Sequence, residues 1–116
     1  MDMKDLTQAI TDFCTERDWD RFHTNKDMAI ALVTESAELC DLFRFKTNEQ
    51  CERLLDSPPN REKVEDEVAD ILYWVLRFAD RNKIDLQQAF ESKMKKNVAK
   101  YPADKVRGSN RKYNEY

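Results

Sequence analysis

The sequence predicts an all-α fold, and three observations predict it. Apolar residues recur at three- and four-residue spacing along four segments. The 116 residues include a single glycine, too few for the many turns of an all-β chain. Pro58 and Pro59 stand together between two periodic segments, where one helix cannot continue and another can start. The length suits one domain covering residues 1–116.

The elements follow in order. Leu6, Ala9, Ile10 and Phe13 share a helical stripe, predicting a first helix over about residues 3–17. Residues 17–26 break that period and carry Trp19, Phe22 and His23. Thr24 or Asn25 can cap a second helix running to about Arg44, with Met28, Ala31, Val33, Leu39, Leu42 and Phe43 as apolar positions. Residues 46–60 are polar, with a short helix over 49–55. A long helix follows over about 61–82, with a broad apolar face of Val64, Val68, Ile71, Leu72, Val75, Leu76 and Ala79. Asp85 reads as the next N-cap, with Gln88 as its capping-box partner. The helix it opens carries Leu86, Ala89, Phe90, Met94 and Val98, and stops ahead of Pro102. The tail, 103–116, has no clear period, and there is no internal repeat or low-complexity tract.

Composition removes several function classes. One glycine excludes a Gly-rich phosphate loop. One histidine, His23, excludes a His-rich zinc site and a pair of Glu-x-x-His iron motifs, and it reads as a packing residue. Cys14, Cys40 and Cys51 form no Cys-x-x-Cys pair, and read as small apolar fillers in a reducing compartment. The longest apolar runs, Met28 to Val33 among them, are too short to span a bilayer, and no N-terminal signal pattern is present. The expectation is a cytoplasmic protein with no membrane partner. The net charge of −3 hides an asymmetry: residues 1–92 hold 12 basic and 21 acidic side chains, residues 93–116 hold 8 and 2. An acidic body with a basic tail can bind nucleic acid through the tail, or hold cations in the body and clamp an anionic ligand with the tail.

Four acidic residues carry the chemistry. Glu35 and Glu38 are three apart and share a helix face whose stripe continues through Ala31 and Leu42. Glu67 and Asp70 repeat the arrangement on the long helix, and their stripe continues through Ile71 and Trp74. Ionised carboxylates on a partly apolar face are costly to bury unless paired or bound to metal. Basic partners on those stripes are missing. Spacing leaves two readings open, a solvated acidic face and a cation site, and the second pair with its apolar neighbours tilts towards the cation. Oxygen ligands without His or Cys select a hard ion, Mg²⁺ or Mn²⁺.

The pattern Glu35-Ser-Ala-Glu38, 28 residues, Glu67-Val-Ala-Asp70 resembles the Glu-x-x-Glu…Glu-x-x-Asp motif of MazG-like nucleoside triphosphate pyrophosphohydrolases. The dCTP pyrophosphatase branch is similar over nearly the whole chain, through Arg17-Asp18-Trp19 with Phe22-His23, Leu42-Phe43, Asp70-Ile71-Leu72, Ser92-Lys93-Met94, Asn97, Tyr101-Pro102, and Ser109 with Arg111-Lys112-Tyr113. The resemblance implies a four-helix-bundle-like fold that assembles as a dimer or as a tetramer made of two dimers. It implies the Mg²⁺-dependent reaction of a nucleoside triphosphate with water to a monophosphate and pyrophosphate, with a deoxynucleotide, dCTP or modified dCTP, preferred, in nucleotide-pool house-cleaning. It implies metal ligands Glu35, Glu38, Glu67 and Asp70, with Glu35 or Glu38 as the general base. Lys93, Asn97 and Tyr101, with Lys100 beside them, are implied for the phosphates and sugar. Arg111 and Lys112 are implied to close over a site, in their own or a neighbouring subunit. Trp19, Trp74 and Phe45 are implied for the base, with Phe45 in place of a Trp and Ile10 in place of a His found in some relatives.

Two rivals stand beside this reading. A helical nucleic-acid-binding or adaptor protein would use the basic tail, although the acidic body repels a phosphate backbone. A carboxylate-bridged di-iron bundle wants His beside its Glu ligands, and His23 lies outside the motif helices.

Overall fold

Four helices of 14 residues or more carry the chain, and no strand occurs among the described residues, which are 1–110 of the computed structural model. The order is α1 (Met3–Glu16), a 3₁₀ turn (Asp20–Phe22), α2 (Asn25–Asp41), α3 (Asn48–Arg53), a second 3₁₀ turn (Leu54–Asp56), α4 (Pro58–Arg81), α5 (Leu86–Lys100) and the single turn α6 (Ala103–Val106). The chain divides into two compact units, residues 1–82 and 83–116. In the first, α4 is the central rod, with α1 and α2 packed on it. The second unit holds α5 and α6.

Local chemistry explains most boundaries. Asp2 and Asp5 form a reciprocal capping box that starts α1. Thr24, not Asn25, caps α2 by accepting from the Asp27 N–H at 3.1 Å. Thr47 and Gln50 build a second capping box for α3. Asp85 caps α5, accepting from the Gln88 N–H at 3.0 Å. Thr24→Ala is expected to cost about 1 kcal/mol of stability, measured by urea denaturation, because one N-terminal amide loses its acceptor.

Three expectations need correction. The second helix ends at Asp41 rather than near Arg44: residues 42–45 turn, and Phe45 sits in the left-handed region with φ 62°. The long helix begins at Pro58 rather than Arg61. Both prolines occupy its first positions, where a fixed φ suits the helix and a missing N–H leaves no orphan donor. The tail includes one helical turn, Ala103–Val106.

The core of the first unit is small. Cys14, Met28, Leu76 and Ala79 are its buried apolar side chains, joined by one buried cation, Arg77. Cys14 is the filler expected, and its thiol meets the Tyr73 hydroxyl at 3.1 Å. Cys40 is exposed and Cys51 half-buried, so filling does not describe Cys40. Ile30 and Val33 on α2, and Val68 and Leu72 on α4, are large apolar side chains left 45% or more exposed.

Candidate active site

Antiparallel packing of α2 on α4 brings two acidic stripes face to face. Glu35 and Glu38 come from the second half of α2, Glu67 from the first half of α4. One carboxylate oxygen from each lies within 4.8 Å of the other two. Glu35 and Glu67 each bury one oxygen, Oε2 in both, that has no hydrogen-bond partner. No Lys or Arg forms an ion pair with Glu35, Glu38, Glu67 or Asp70 among the described residues.

The electrostatic consequence is plain. Burial, then the neighbouring Glu38, then the charges of Asp70 and Glu67 push the Glu35 carboxyl up to about 7. Burial and the nearby acids also raise Glu67 above the ordinary carboxylate range. Such a cluster resists ionisation until something cationic neutralises it. Orphaned buried oxygens, all-carboxylate donors and absent basic partners together fit a hard divalent cation.

Asp70 stands apart from the other three. It is one methylene shorter than Glu and is not in the 4.8 Å group. Its charge is felt by Glu35 and Glu67, and it lines a cavity of about 420 Å³. Ala9, Ile10 and Phe13 of α1 form one side of that cavity, Trp19 of the following loop another, and Tyr73 and Trp74 of α4 a third. Phe13 meets Trp19 edge-on at 5.5 Å, and Tyr73 meets Trp74 edge-on at 4.9 Å. Trp19 and Trp74 thus line one cavity next to an acidic residue. Phe13 and Tyr73 are not among the sequence candidates, although Tyr73 follows Asp70 by three residues, as Trp74 does by four, and both spacings share a helix face. Glu38 opens onto a second hollow of about 630 Å³ along α2, with Thr34, Asp41, Phe43 and Arg44 on its walls.

The remaining candidates lie on other elements. Phe45 lies outside the aromatic cavity, 91% exposed, with the Arg44 guanidinium 4.4 Å from its ring centre. Lys93, Asn97 and Lys100 lie on α5, and Tyr101 is its C-cap, donating its backbone N–H to the Asn97 carbonyl. Asn97 is half-buried and its Nδ2 meets the Met94 sulfur at 3.7 Å. Arg111 and Lys112 lie outside the described residues. His23 is a packing residue, as expected: its Nδ1 accepts from Arg77 and its ring stands edge-on to Trp74 at 5.1 Å.

Comparison with known proteins fits this geometry. A model of the MazG-like family matches residues 30–116, a span that includes all four acidic positions. The chain belongs to the MazG-like family. Curated relatives named dCTP pyrophosphatase 1 are 37% identical in Homo sapiens and 36% in Bos taurus, each over 113 residues and 97% of this chain. The chain spans 66% and 67% of the length of those two relatives. A solved structure described as a pyrophosphatase, from Archaeoglobus fulgidus DSM 4304, superposes with a TM-score of 0.80 at 32% identity, over 86% of this chain and 92% of that one. No described helix of this MazG-like chain is long and apolar enough to cross a membrane.

Proposed function

We propose that this chain is a Mg²⁺-dependent nucleoside triphosphate pyrophosphohydrolase that prefers deoxynucleotides of the dCTP type and clears them from the cytoplasmic nucleotide pool. The observation that carries the reading is the pair of buried, unpartnered carboxylate oxygens on Glu35 and Glu67. Glu35, Glu38 and Glu67 are the ion's primary holders, with Asp70 adding charge from the cavity side. When bound, the ion supplies charge neutralisation and Lewis-acid polarisation to phosphate oxygens. A triphosphate carries about four negative charges, which these carboxylates repel unless a cation intervenes.

The chain's own groups divide the remaining work. Glu35 and Glu38 are the pair from which the general base for the attacking water is drawn. Trp19 and Trp74 offer aromatic faces to a nucleobase, beside the acidic end of the cavity. Lys93, Asn97, Lys100 and Tyr101 bring to α5 the donors that suit anionic oxygens. The names of the relatives support dCTP as the first substrate to test. The exposed Ile30, Val33, Val68 and Leu72 support self-association, as a dimer or a dimer of dimers.

The test is pyrophosphate release from a panel of canonical and modified NTPs and dNTPs, with Mg²⁺ and with EDTA, on a preparation whose mass is fixed by sedimentation. Metal-dependent release, fastest for dCTP-type substrates, is the expected result. Release with another base preferred keeps the reaction and removes the dCTP assignment. No release from any nucleotide removes the reaction.

A further inference from the structure

We infer that Arg77 is the positioning residue of the aromatic cavity: its guanidinium holds the Asp20–His23 segment against α4, and so fixes Trp19 and Trp74 as two walls for a flat ring. The inference rests on the nucleotide reading of that cavity. The site residues assigned above do not include Arg77.

Helical spacing puts Arg77 on the cavity side of α4, since Glu67, Asp70, Trp74, Arg77 and Arg81 succeed one another at three and four residues. Arg77 is 1% exposed, the most buried charged group of the chain's described part. Its donors go to one short stretch. Nε donates to His23 Nδ1 at 3.0 Å, and Nη2 donates to Asp20 Oδ1 in a close ion pair. Arg81 adds a bond from Nη2 to the Asp20 carbonyl at 3.2 Å.

Each partner adjoins a tryptophan. Asp20 directly follows Trp19, and the His23 ring stands edge-on to Trp74. The loop needs a tether because Asp18 lies in the left-handed region with φ 55°. At its near end the Trp19 N–H donates to the Cys14 carbonyl at 3.0 Å. Arg77 supplies the far end.

Protonation agrees with this geometry. The Arg77 hydrogen bond holds Asp20 below the usual carboxylate range, so it is the anion that pairs. Burial, then Arg77 and Arg81, hold His23 below the usual imidazole range, so its Nδ1 stays free to accept. Stability is a poor reason for this Arg. An apolar side chain of similar volume commonly serves a buried position as well or better. What only the planar fork provides is two donors at a fixed angle, aimed at two residues of one loop.

The experiment exploits the tryptophan count. Trp19 and Trp74 are the chain's two tryptophans. 5-Fluorotryptophan labelling therefore places one ¹⁹F reporter on each wall. The variants are Arg77→Lys, which keeps the charge and loses the fork, and Asp20→Asn, at a half-exposed site and so gentler on folding. Far-ultraviolet circular dichroism confirms folding for both.

In the free Arg77→Lys protein the Trp19 resonance is expected to shift and broaden. KM for dCTP is expected to rise about tenfold with kcat little changed, as lost base stacking predicts. Methyl triphosphate, which has no base, is expected to be cleaved with unchanged kcat/KM. Asp20→Asn is expected to move the same quantities in the same direction by about threefold, and decides the matter alone if Arg77→Lys does not fold. Unmoved ¹⁹F lines overturn the inference. So does a parallel loss on dCTP and methyl triphosphate, the mark of a merely structural role. Parent protein that cleaves no nucleotide overturns the pyrophosphohydrolase reading instead, and the ¹⁹F spectra of the free proteins still decide whether Arg77 holds the two indoles.

Discussion

Glu38→Gln is expected to lower kcat/KM for triphosphate hydrolysis by about a thousandfold, equivalent to about 4 kcal/mol of transition-state stabilisation. The substitution is nearly isosteric but halves the donor oxygens and removes one negative charge from a group whose members lie within 4.8 Å. Under the proposed function it removes a cation ligand and one of the two candidate bases together. The same change relieves repulsion, since Glu38 is the largest neighbour acting on Glu35 after burial. Metal-free Glu38→Gln protein should therefore melt no lower than the parent at pH 8. Steady-state kinetics and thermal melts on one preparation check both halves. Full activity in the variant would remove Glu38 from the site.

Divalent cations are expected to stabilise the protein strongly, in a pH-dependent way. The sign follows from proton counting. Glu35 titrates near 7 in the folded chain against about 4.5 unfolded. Between those values the folded state holds a proton that the unfolded state has released. Stability of the metal-free protein therefore falls through this group as pH rises from about 4.5 to about 7, then levels off. Glu67 contributes in the same direction. Asp20 works oppositely, as its lowered value makes a contribution that is lost only as the solution becomes strongly acidic.

A cation replaces the proton as neutraliser. At pH 8, Mg²⁺ or Mn²⁺ at about a hundred times its Kd should add about 2.7 kcal/mol, or about 10 °C in Tm for a chain of this size. At pH 5 protons compete for the same oxygens and the shift should shrink. Differential scanning fluorimetry with EDTA and with each ion at both pH values reads this. A Tm indifferent to both ions at pH 8 would sink the cation site.

Much of this was legible because the signals are local. Side chains three residues apart share a helix face, so the acidic pairs Glu35–Glu38 and Glu67–Asp70 stand out without any knowledge of packing. Caps such as Thr24 and Asp85 are equally local. Asp70 lies outside the 4.8 Å group, because spacing shows which face a residue shares and not how far its side chain reaches. The Arg77–Asp20 pair was invisible, since its partners are 57 residues apart and nothing near either one marks the other. Thr11, whose hydroxyl bonds Asp80 across 69 residues, shows the same limit. Phe45 was read from its place in a motif, and its exposure depends on a left-handed turn that no periodicity encodes.

The succession along α4 has one last consequence. Glu67 and Trp74 are seven residues apart on an unbroken helix, so about 10 Å of axial rise separates their backbones. Under the proposed function this helix works as a ruler whose zero is the base-binding end. The phosphorus brought to the acids is then chosen by counting outward from the base, through the sugar, and not inward from the free end of the phosphate chain. Lengthening that chain adds groups beyond the last mark and leaves the scissile bond where it was.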